Sequence, residues 1–547
     1  MGRSTMVSSN CRGRRRVNDR FDRVIAIVRY AIVTFSFTAA TLVGCGEGAD
    51  THAATDAATL HVIAGSELKD LEPYFQQIAD ATGITLVPTY SGTLAGVDRI
   101  NAGESFDAAW FANAKYLLLS DAKKRVRAQE RIMLSPVVLG VRESVAKRFG
   151  WTPDGTTWKA IAARAGAGQF HFAMTNPTAS NSGFSAVIAV ASALVGAQDA
   201  LKATDVDTKK LRAFFAGQTV TAGSSGWLID AYLRDQTKLD GVVNYESSLL
   251  ALGASGKLRE PLVLIYPKEG VLTADYPLLL LDDTKRAAFE KITTYLRTTA
   301  FQRLVMEKTF RRPAISGVPL TTAFPHALVN EVSFPNSLAV VDGILGRFLA
   351  DDRVPAHTFY VLDTSGSMQG ERLGGVVRAL GTLAGKDPSV TGRYARFQNR
   401  ERISFISFSD VPRTSVDLVM HATGDAATLG RVVAYANGMH AGGSTAIYCA
   451  LETALDDAAR ARRLEGPRYY SIVLMTDGEN NGCDDAATFA DKYDRLPVDR
   501  KIRIFPILFG EAKSSELEEI ARISGGRLFN GKTQSLSDVF KEIRGYQ

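Results

Sequence analysis

Residues 358–368 read TFYVLDTSGSM. An apolar run ends in Asp363, and Thr364, Ser365 and Ser367 follow at once. A helix cap needs only one such oxygen, and a Ser/Gly turn needs no acid. Several hard oxygens packed together suit a small, hard cation. Two later stretches can complete the set. AGGSTAIYCALETAL, 441–455, is a glycine turn ending in Ser444 and Thr445 at a predicted helix start. YYSIVLMTDGENNG, 469–482, is a predicted strand whose end carries Thr476, Asp477 and Gly478. In a parallel α/β sheet the loops leaving the carboxyl ends of the strands share one edge, where ligands gather. Asp363, Ser365, Ser367, Thr445 and Asp477 can therefore meet although they are far apart in the chain. The set offers only oxygens, two of them carboxylates, which favours Mg²⁺ or Mn²⁺ over zinc, with its taste for Cys and His.

The elements that must position these residues follow from the hydrophobic pattern. From 357 to the end, the runs HTFYVLD, ERISFISFS, SVDLVMH, YYSIVLMTDG, IRIFPILFG and GGRLFN alternate with mostly helical patterns. This predicts an α/β domain over 356–547. The succession D-x-S-x-S, a G-G-x-T-like turn and T-D-G resembles the von Willebrand factor A (VWA) domain, a Rossmann-like, doubly wound fold. The resemblance implies a metal-ion-dependent adhesion site. In it Ser365, Ser367 and Thr445 supply hydroxyls, and Asp363 and Asp477 act directly or through water. It also implies an open cation position that an acidic side chain of a protein partner takes.

A separate α/β pattern precedes it. Predicted strands at 60–64 and 84–90 are each followed by Ser/Gly turns and amphipathic helices, the first through Leu68, Leu71, Phe75 and Ile78. The alternation argues a parallel sheet. The stretches AGSELKDLEPYF, YSGTLAG, TNPTASNSGFSA and YPKEG…ADYPL resemble two-lobed, type II periplasmic solute-binding proteins, with an oxyanion-binder flavour, over 58–340. That resemblance implies ligand contacts at Ser66, Ser91, Gly92, Thr93, Ser182, Gly183 and Tyr245, from helix N-termini and hydroxyls. The same Ser and Gly residues are also good helix caps. Trp110 and Phe111 stand where the family more often has small residues, and would narrow the cleft or stack on an organic ligand. Two helical stretches are expected at 283–296 and 298–307, and a last one at 337–352. Residues 341–355 are read as a linker helix between the domains.

The remaining charge is in the leader. The chain has 547 residues and a net charge of +6. Residues 1–44 hold eight arginines and two acids, so that segment alone accounts for the excess. No basic patch argues for nucleic-acid binding. The arginines precede a short apolar run, YAIVTFSFTAATLVG, that ends at Cys45. It is shorter than a membrane span of about 20 residues. Leu42-Val43-Gly44-Cys45 resembles a bacterial lipobox, which implies a signal peptide over 1–45, lipidation at Cys45 and a flexible linker over 46–57. The expected location is the cell envelope, exported and lipid-anchored. Of four cysteines, Cys449 and Cys483 belong to the folded part. Each lies within six residues of Thr445 or Asp477, so in an oxidising compartment they can pair or remain apart, Cys449 as a small buried hydrophobe.

No nucleophile-and-base spacing, P-loop or H-E-x-x-H motif stands out, so no enzyme activity is expected. Three readings compete. One is a membrane-anchored lipoprotein whose cation site grips a carboxylate of another envelope or surface protein. Another is a substrate-binding receptor for an ABC-type transporter, taking an oxyanion or small organic solute. The third is a metal-dependent assembly factor of a larger envelope machine, weakened by the lack of a nucleotide site. Cys45→Ala is expected to move the protein from the membrane to the soluble fraction, and unchanged fractionation would refute the lipobox reading.

Overall fold

In the computed structural model, which describes residues 59–196, 199–205, 208–325 and 329–547, the first apolar run forms the strand Thr59–Ala64. It lies between the parallel strands Thr85–Tyr90 and Ala108–Trp110. Antiparallel Pro277–Leu280 and then Ala128–Arg131 complete this sheet. In the second lobe the long strand Met133–Arg142 runs antiparallel to Gly241–Tyr245, which continues into Phe172–Thr175 and Gln218–Ala222. Both lobe sheets are thus mixed, a correction to the all-parallel expectation. Segments that return from the other lobe arrive already reversed, and alternation of strands and helices does not reveal this. The chain crosses between lobes at Ile132, at Asp275–Tyr276 and at Phe310–Arg311. Tyr276 and Phe310 hold positive φ there, 38° and 55°, which few non-glycine residues adopt.

The first expected helix is divided. Ser66–Tyr74 is a 3₁₀ segment and Phe75–Thr82 is α-helical. Pro73 lies at the junction, where its ring and missing N–H break a continuous α ladder. The leader, the linker at 46–57 and Cys45 lie outside the described residues. Among the described residues no helix is long and apolar enough to cross a membrane.

The third sheet has six strands, in the order Val416–Val419, Arg402–Phe408, Ala356–Asp363, Tyr469–Thr476, Arg503–Leu508 and Phe529–Asn530. All neighbours are parallel except the first pair. Every residue of the central strand Ala356–Asp363 is buried, as expected for a parallel strand covered on both faces. The period of two sends alternate residues to opposite cores. Tyr360 and Leu362 pack with Val376, Leu380 and Phe540. Phe359 and Val361 pack with Leu451, Leu455 and Leu517.

The helix Leu338–Arg347 and a following turn, Phe348–Asp352, lead into this domain. Arg353 and Arg544 both bind the buried Glu401 carboxylate, and Arg544 Nη2 reaches each of its oxygens at 2.7 Å. Burial alone would raise the Glu401 pKa. The two guanidiniums, Arg544 first, hold it below the ordinary carboxylate value instead. Arg353 also donates to the Gln547 carbonyl at 3.0 Å.

The neighbouring acid is not paired in this way. Asp352 is 1 % exposed and neither carboxylate oxygen has a hydrogen-bond partner. Burial pushes its pKa up to about 7, against Arg347, Arg212 and Arg400 and with the help of Asp351. A carboxyl whose folded pKa is raised binds more protons folded than unfolded, so its contribution is full below the unfolded value and is lost as pH rises through about 7. Asp352→Asn cannot ionise. Its stability relative to the native chain should rise between about pH 4 and pH 7 and level off above, by on the order of a few kcal/mol. Thermal melts of both proteins across that range check this, and a pH-independent difference would contradict it.

Candidate metal centre and solute cleft

The strand ends deliver the oxygens. Asp363 closes the central strand and Thr476 closes its neighbour. Thr476 Oγ1 donates to Asp363 Oδ2 at 2.6 Å, and the Ser365 backbone N–H donates to Oδ1 at 2.7 Å. The Ser365 and Ser367 hydroxyls lie 3.0 Å apart, and Ser367 Oγ donates to Asp477 Oδ1 at 2.7 Å. Thr445 joins from the third segment. A Cβ added at Gly478 would stand 3.5 Å from Thr445 Oγ1 and 3.8 Å from Ser367 Oγ, so both hydroxyls face one point. Asp363 and Asp477 are fully buried, Ser365 and Thr445 nearly so, and Ser367 is exposed. Burial pushes the Asp363 pKa up, against hydrogen bonds from Ser365 and Thr476. A buried acid held among hydroxyls is stabilised when a cation compensates its charge. The donors are hard oxygens, and among the described residues there is no group of three or more His, Cys, Asp or Glu side chains that could hold a metal ion. This chemistry fits Mg²⁺ or Mn²⁺ rather than zinc.

Supporting residues that the sequence did not single out build the loops. Asp410, just past the end of Arg402–Phe408, accepts from the Ser444 N–H at 2.8 Å and from its hydroxyl at 2.7 Å. The close approach of Asp410 leaves room only for glycine at 443, whose φ is +86°. The side-chain oxygens of Asn480 and Asn481 accept from the Ile447 and Thr445 N–H groups, at 3.0 and 2.7 Å. They cap the helix Ile447–Glu465, which carries Cys449. Cys449 is joined to Cys483 by a disulfide with Cα atoms 5.9 Å apart. In the loop-entropy model such a bridge stabilises the fold by about 3–4 kcal/mol, here tying together two of the three loops around the oxygens. Arg372 is a further unforeseen neighbour. Its Nη1 donates to Asp477 Oδ2 at 2.5 Å, and its side chain is 33 % exposed.

Most of the solute-binding positions are buried or engaged within the protein. Ser66 is exposed. Ser91 Oγ turns back to the Gly92 carbonyl. Thr93 lines a space of about 10 Å³ with Tyr116, Asn181 and Phe184, the lower limit for one water. Ser182 Oγ is hydrogen-bonded to Thr175 and Ser225, each at 2.8 Å. Gly183 is a packing glycine, because a Cβ there would meet the Thr175 carbonyl oxygen at 2.3 Å. Tyr245 reaches across the lobes, its hydroxyl donating to Glu67 Oε1 at 3.1 Å. Trp110 and Phe111 correct an expectation. They are 2 % and 0 % exposed. Trp110 Nε1 donates to the Tyr276 carbonyl at 3.0 Å, and Phe111 fills the place that a Cβ at Gly96 would need. Both are core residues, Trp110 at the end of the buried strand Ala108–Trp110 and Phe111 just beyond it.

A Ser–His–Glu arrangement, invisible in the sequence, lies at the other end of the third sheet. His357 Nε2 is 2.9 Å from Ser404 Oγ, and Nδ1 is 2.9 Å from Glu465 Oε2. Ser404 is fully buried and its hydroxyl donates to Asp417 Oδ1 at 2.5 Å. The arrangement ties strand ends together.

Residues 60–311 match the family model of bacterial extracellular solute-binding proteins, and residues 359–542 match that of the von Willebrand factor type A domain. The chain joins a solute-binding domain to a VWA domain. Among curated proteins it is 25 % identical over 228 residues to inter-alpha-trypsin inhibitor heavy chain H4 of Sus scrofa, covering 39 % of this chain and 23 % of that protein. It is 28 % identical over 179 residues to the uncharacterized protein sll0103 of Synechocystis sp., covering 32 % and 38 %. The match therefore spans well under half the length of these relatives. Among solved structures, the periplasmic binding protein AfuA from Actinobacillus pleuropneumoniae covers 54 % of this chain and 98 % of its own, at 9 % identity and a TM-score of 0.41. The apo ferric ion-binding protein A of Pasteurella haemolytica covers 53 % and 96 %, at 13 % identity and a TM-score of 0.41.

Arg372 is a cation beside the VWA oxygens, and a metal held there would compete with it for Asp477. A partly exposed pair of this kind is worth about 1 kcal/mol, or roughly fivefold in affinity. Arg372→Ala should therefore tighten Mg²⁺ or Mn²⁺ binding about fivefold by calorimetry, and weaker binding would show that the guanidinium supports the site instead.

Proposed function

We propose that this is an exported, membrane-anchored binding protein, not an enzyme, whose VWA domain grips a carboxylate of another envelope or surface protein through Mg²⁺ or Mn²⁺. The observation that carries this reading is the convergence of Asp363, Ser365, Ser367, Thr445 and Asp477 at the carboxyl ends of the parallel strands. These residues bring two carboxylates to a divalent ion. Their charge is balanced by it, and the coordination left over is open to an acid from outside. When bound, the cation supplies a Lewis-acidic position for that third carboxylate. The chain's own groups orient it. Asp363 is held by Ser365 and Thr476, and Asp477 by Ser367.

Exposure supports the same reading. The VWA domain meets the solute-binding lobes through the opposite, amino ends of its strands. There, Tyr469 and Arg503 contact Gln218 and Asp235. Strands of eight residues put about 25 Å between the two edges, which keeps the oxygen-rich edge away from the described solute-binding lobes.

The transport-receptor reading rests on the solute-binding domain, and assembly-factor activity on the VWA domain alone. The adhesion reading is favoured because its oxygen donors already converge, whereas the space lined by Thr93, Tyr116 and Asn181 between the lobes holds only about 10 Å³. The test is calorimetric titration of Mg²⁺ and Mn²⁺ into the full chain and into Asp363→Ala. Binding in the native chain and its loss in the variant, with an unchanged melting profile, is the expected result. Equal heats for the two, or none up to millimolar metal, would remove the cation and the adhesion mechanism with it.

A further inference from the structure

The VWA domain touches both lobes of the solute-binding domain. On the first lobe, Asp98 accepts the backbone N–H groups of Val390 and Thr391 at 3.0 and 2.7 Å, at the start of the VWA helix Val390–Ala395. Asp342 of the linker helix accepts the hydroxyls of Tyr116, from the first lobe, and Tyr394, from the VWA domain, at 2.9 and 2.8 Å. On the second lobe, Arg503 Nη2 donates to Asp235 Oδ2 at 2.7 Å. The Tyr546 ring stands edge-on to Trp227, with centroids 5.0 Å apart, and lies so close to Gly223 that a Cβ there would sit 2.3 Å from it.

The three bodies meet at one residue. Ala179 of the second lobe is approached by Gly92 of the first, where a Cβ would lie 2.9 Å from its carbonyl oxygen. It is also approached by Gly545 of the VWA domain, where a Cβ would lie 2.8 Å from its own Cβ. Ala179 also lines the small space between the lobes. Thus the seam of the cleft and the VWA contact are the same place. Across the cleft, Tyr245 donates to Glu67, while among the described residues the buried Asn113 Nδ2 has no hydrogen-bond partner. A buried donor left without a partner opposes closure, and contacts outside the cleft offset that cost.

We propose that the VWA domain is a clamp laid across the two lobes, and that the cleft admits a small polar solute only when the clamp releases one lobe. A body bound to both lobes at once restricts their hinge motion, because opening must break one of its two contacts. Release and solute entry are then one equilibrium, and a solute that binds the open cleft favours the released clamp by the same free energy. This inference does not depend on metal binding.

Hydrogen exchange on the full chain tests it, with two variants made only in the solute-binding domain. Asp98→Ala combined with Asp235→Ala removes a polar contact on each lobe, and Gly223→Val pushes the Tyr546 ring away. In both, peptides 91–97 and 179–185 of the cleft should exchange roughly tenfold faster, and in the Asp98→Ala/Asp235→Ala variant peptides 389–395 of the clamp as well, with the central strand 356–363 unchanged. Faster exchange at 389–395 with native protection at 91–97 and 179–185 would overturn the proposal. Native protection at all three would overturn it too, since the cut contacts would then not hold the domains. If one variant also loses protection at 356–363 it has lost its fold, and the other decides.

Discussion

The buried carboxylate of Glu401, held between Arg353 and Arg544, is the interaction on which the arrangement of this chain depends. Arg353 belongs to the segment entering the VWA domain, Glu401 precedes its second strand, and Arg544 ends its last helix. One acid therefore sets where the domain begins and where its C-terminal residues lie. Arg544 adds a bond to the Ala395 carbonyl at 2.8 Å, which fixes the end of the helix that meets Asp98. Breaking a buried pair of this type by removing one partner costs about 3–5 kcal/mol, because the other charges stay buried. Replacing the whole set with apolar groups would cost far less, so its contribution is to geometry: a register for entry and exit that apolar packing alone would leave looser.

From that register the two working edges follow. The parallel strands carry the oxygen-bearing loops at their carboxyl ends and the docking contacts at their amino ends. Strand direction thereby separates the edge that docks on the solute-binding lobes from the edge that gathers the oxygens. The disulfide and the two asparagine caps stiffen the loops at the oxygen edge, where donors must already be in place for a cation to be held. Asp363 illustrates the balance. It is costly to bury as an anion, and hydrogen bonds from Ser365 and Thr476 offset that cost.

The solute-binding domain shows the converse. Its helix N-termini point at a seam that the lobes themselves fill, through Gly92 on Ala179 and Tyr245 on Glu67. Hydroxyls at such positions are equally useful as caps and as internal partners, as Ser182 shows in its hydrogen bonds to Thr175, Ser180 and Ser225. A ligand contact and a packing contact use the same residue types here, so composition at a turn does not separate them.

By itself the sequence determined the two α/β domains and the five oxygen residues of the VWA edge. These were legible because each is local: an apolar run of strand length, then an acid and hydroxyls at its end, with glycines where the turn is tight. The tertiary structure alone decided the rest. Whether Trp110 faces a ligand or the core depends on what covers its strand. Whether Arg372 reaches Asp477 depends on the helix that follows the first loop, and the roles of Asp410 and Glu401 depend on partners 34 and 143 residues away. The antiparallel strands and the docking of one domain on another depend on the path of the chain through space. Periodicity reports what a segment buries, not against which segment, and that pairing is settled only when the whole chain packs.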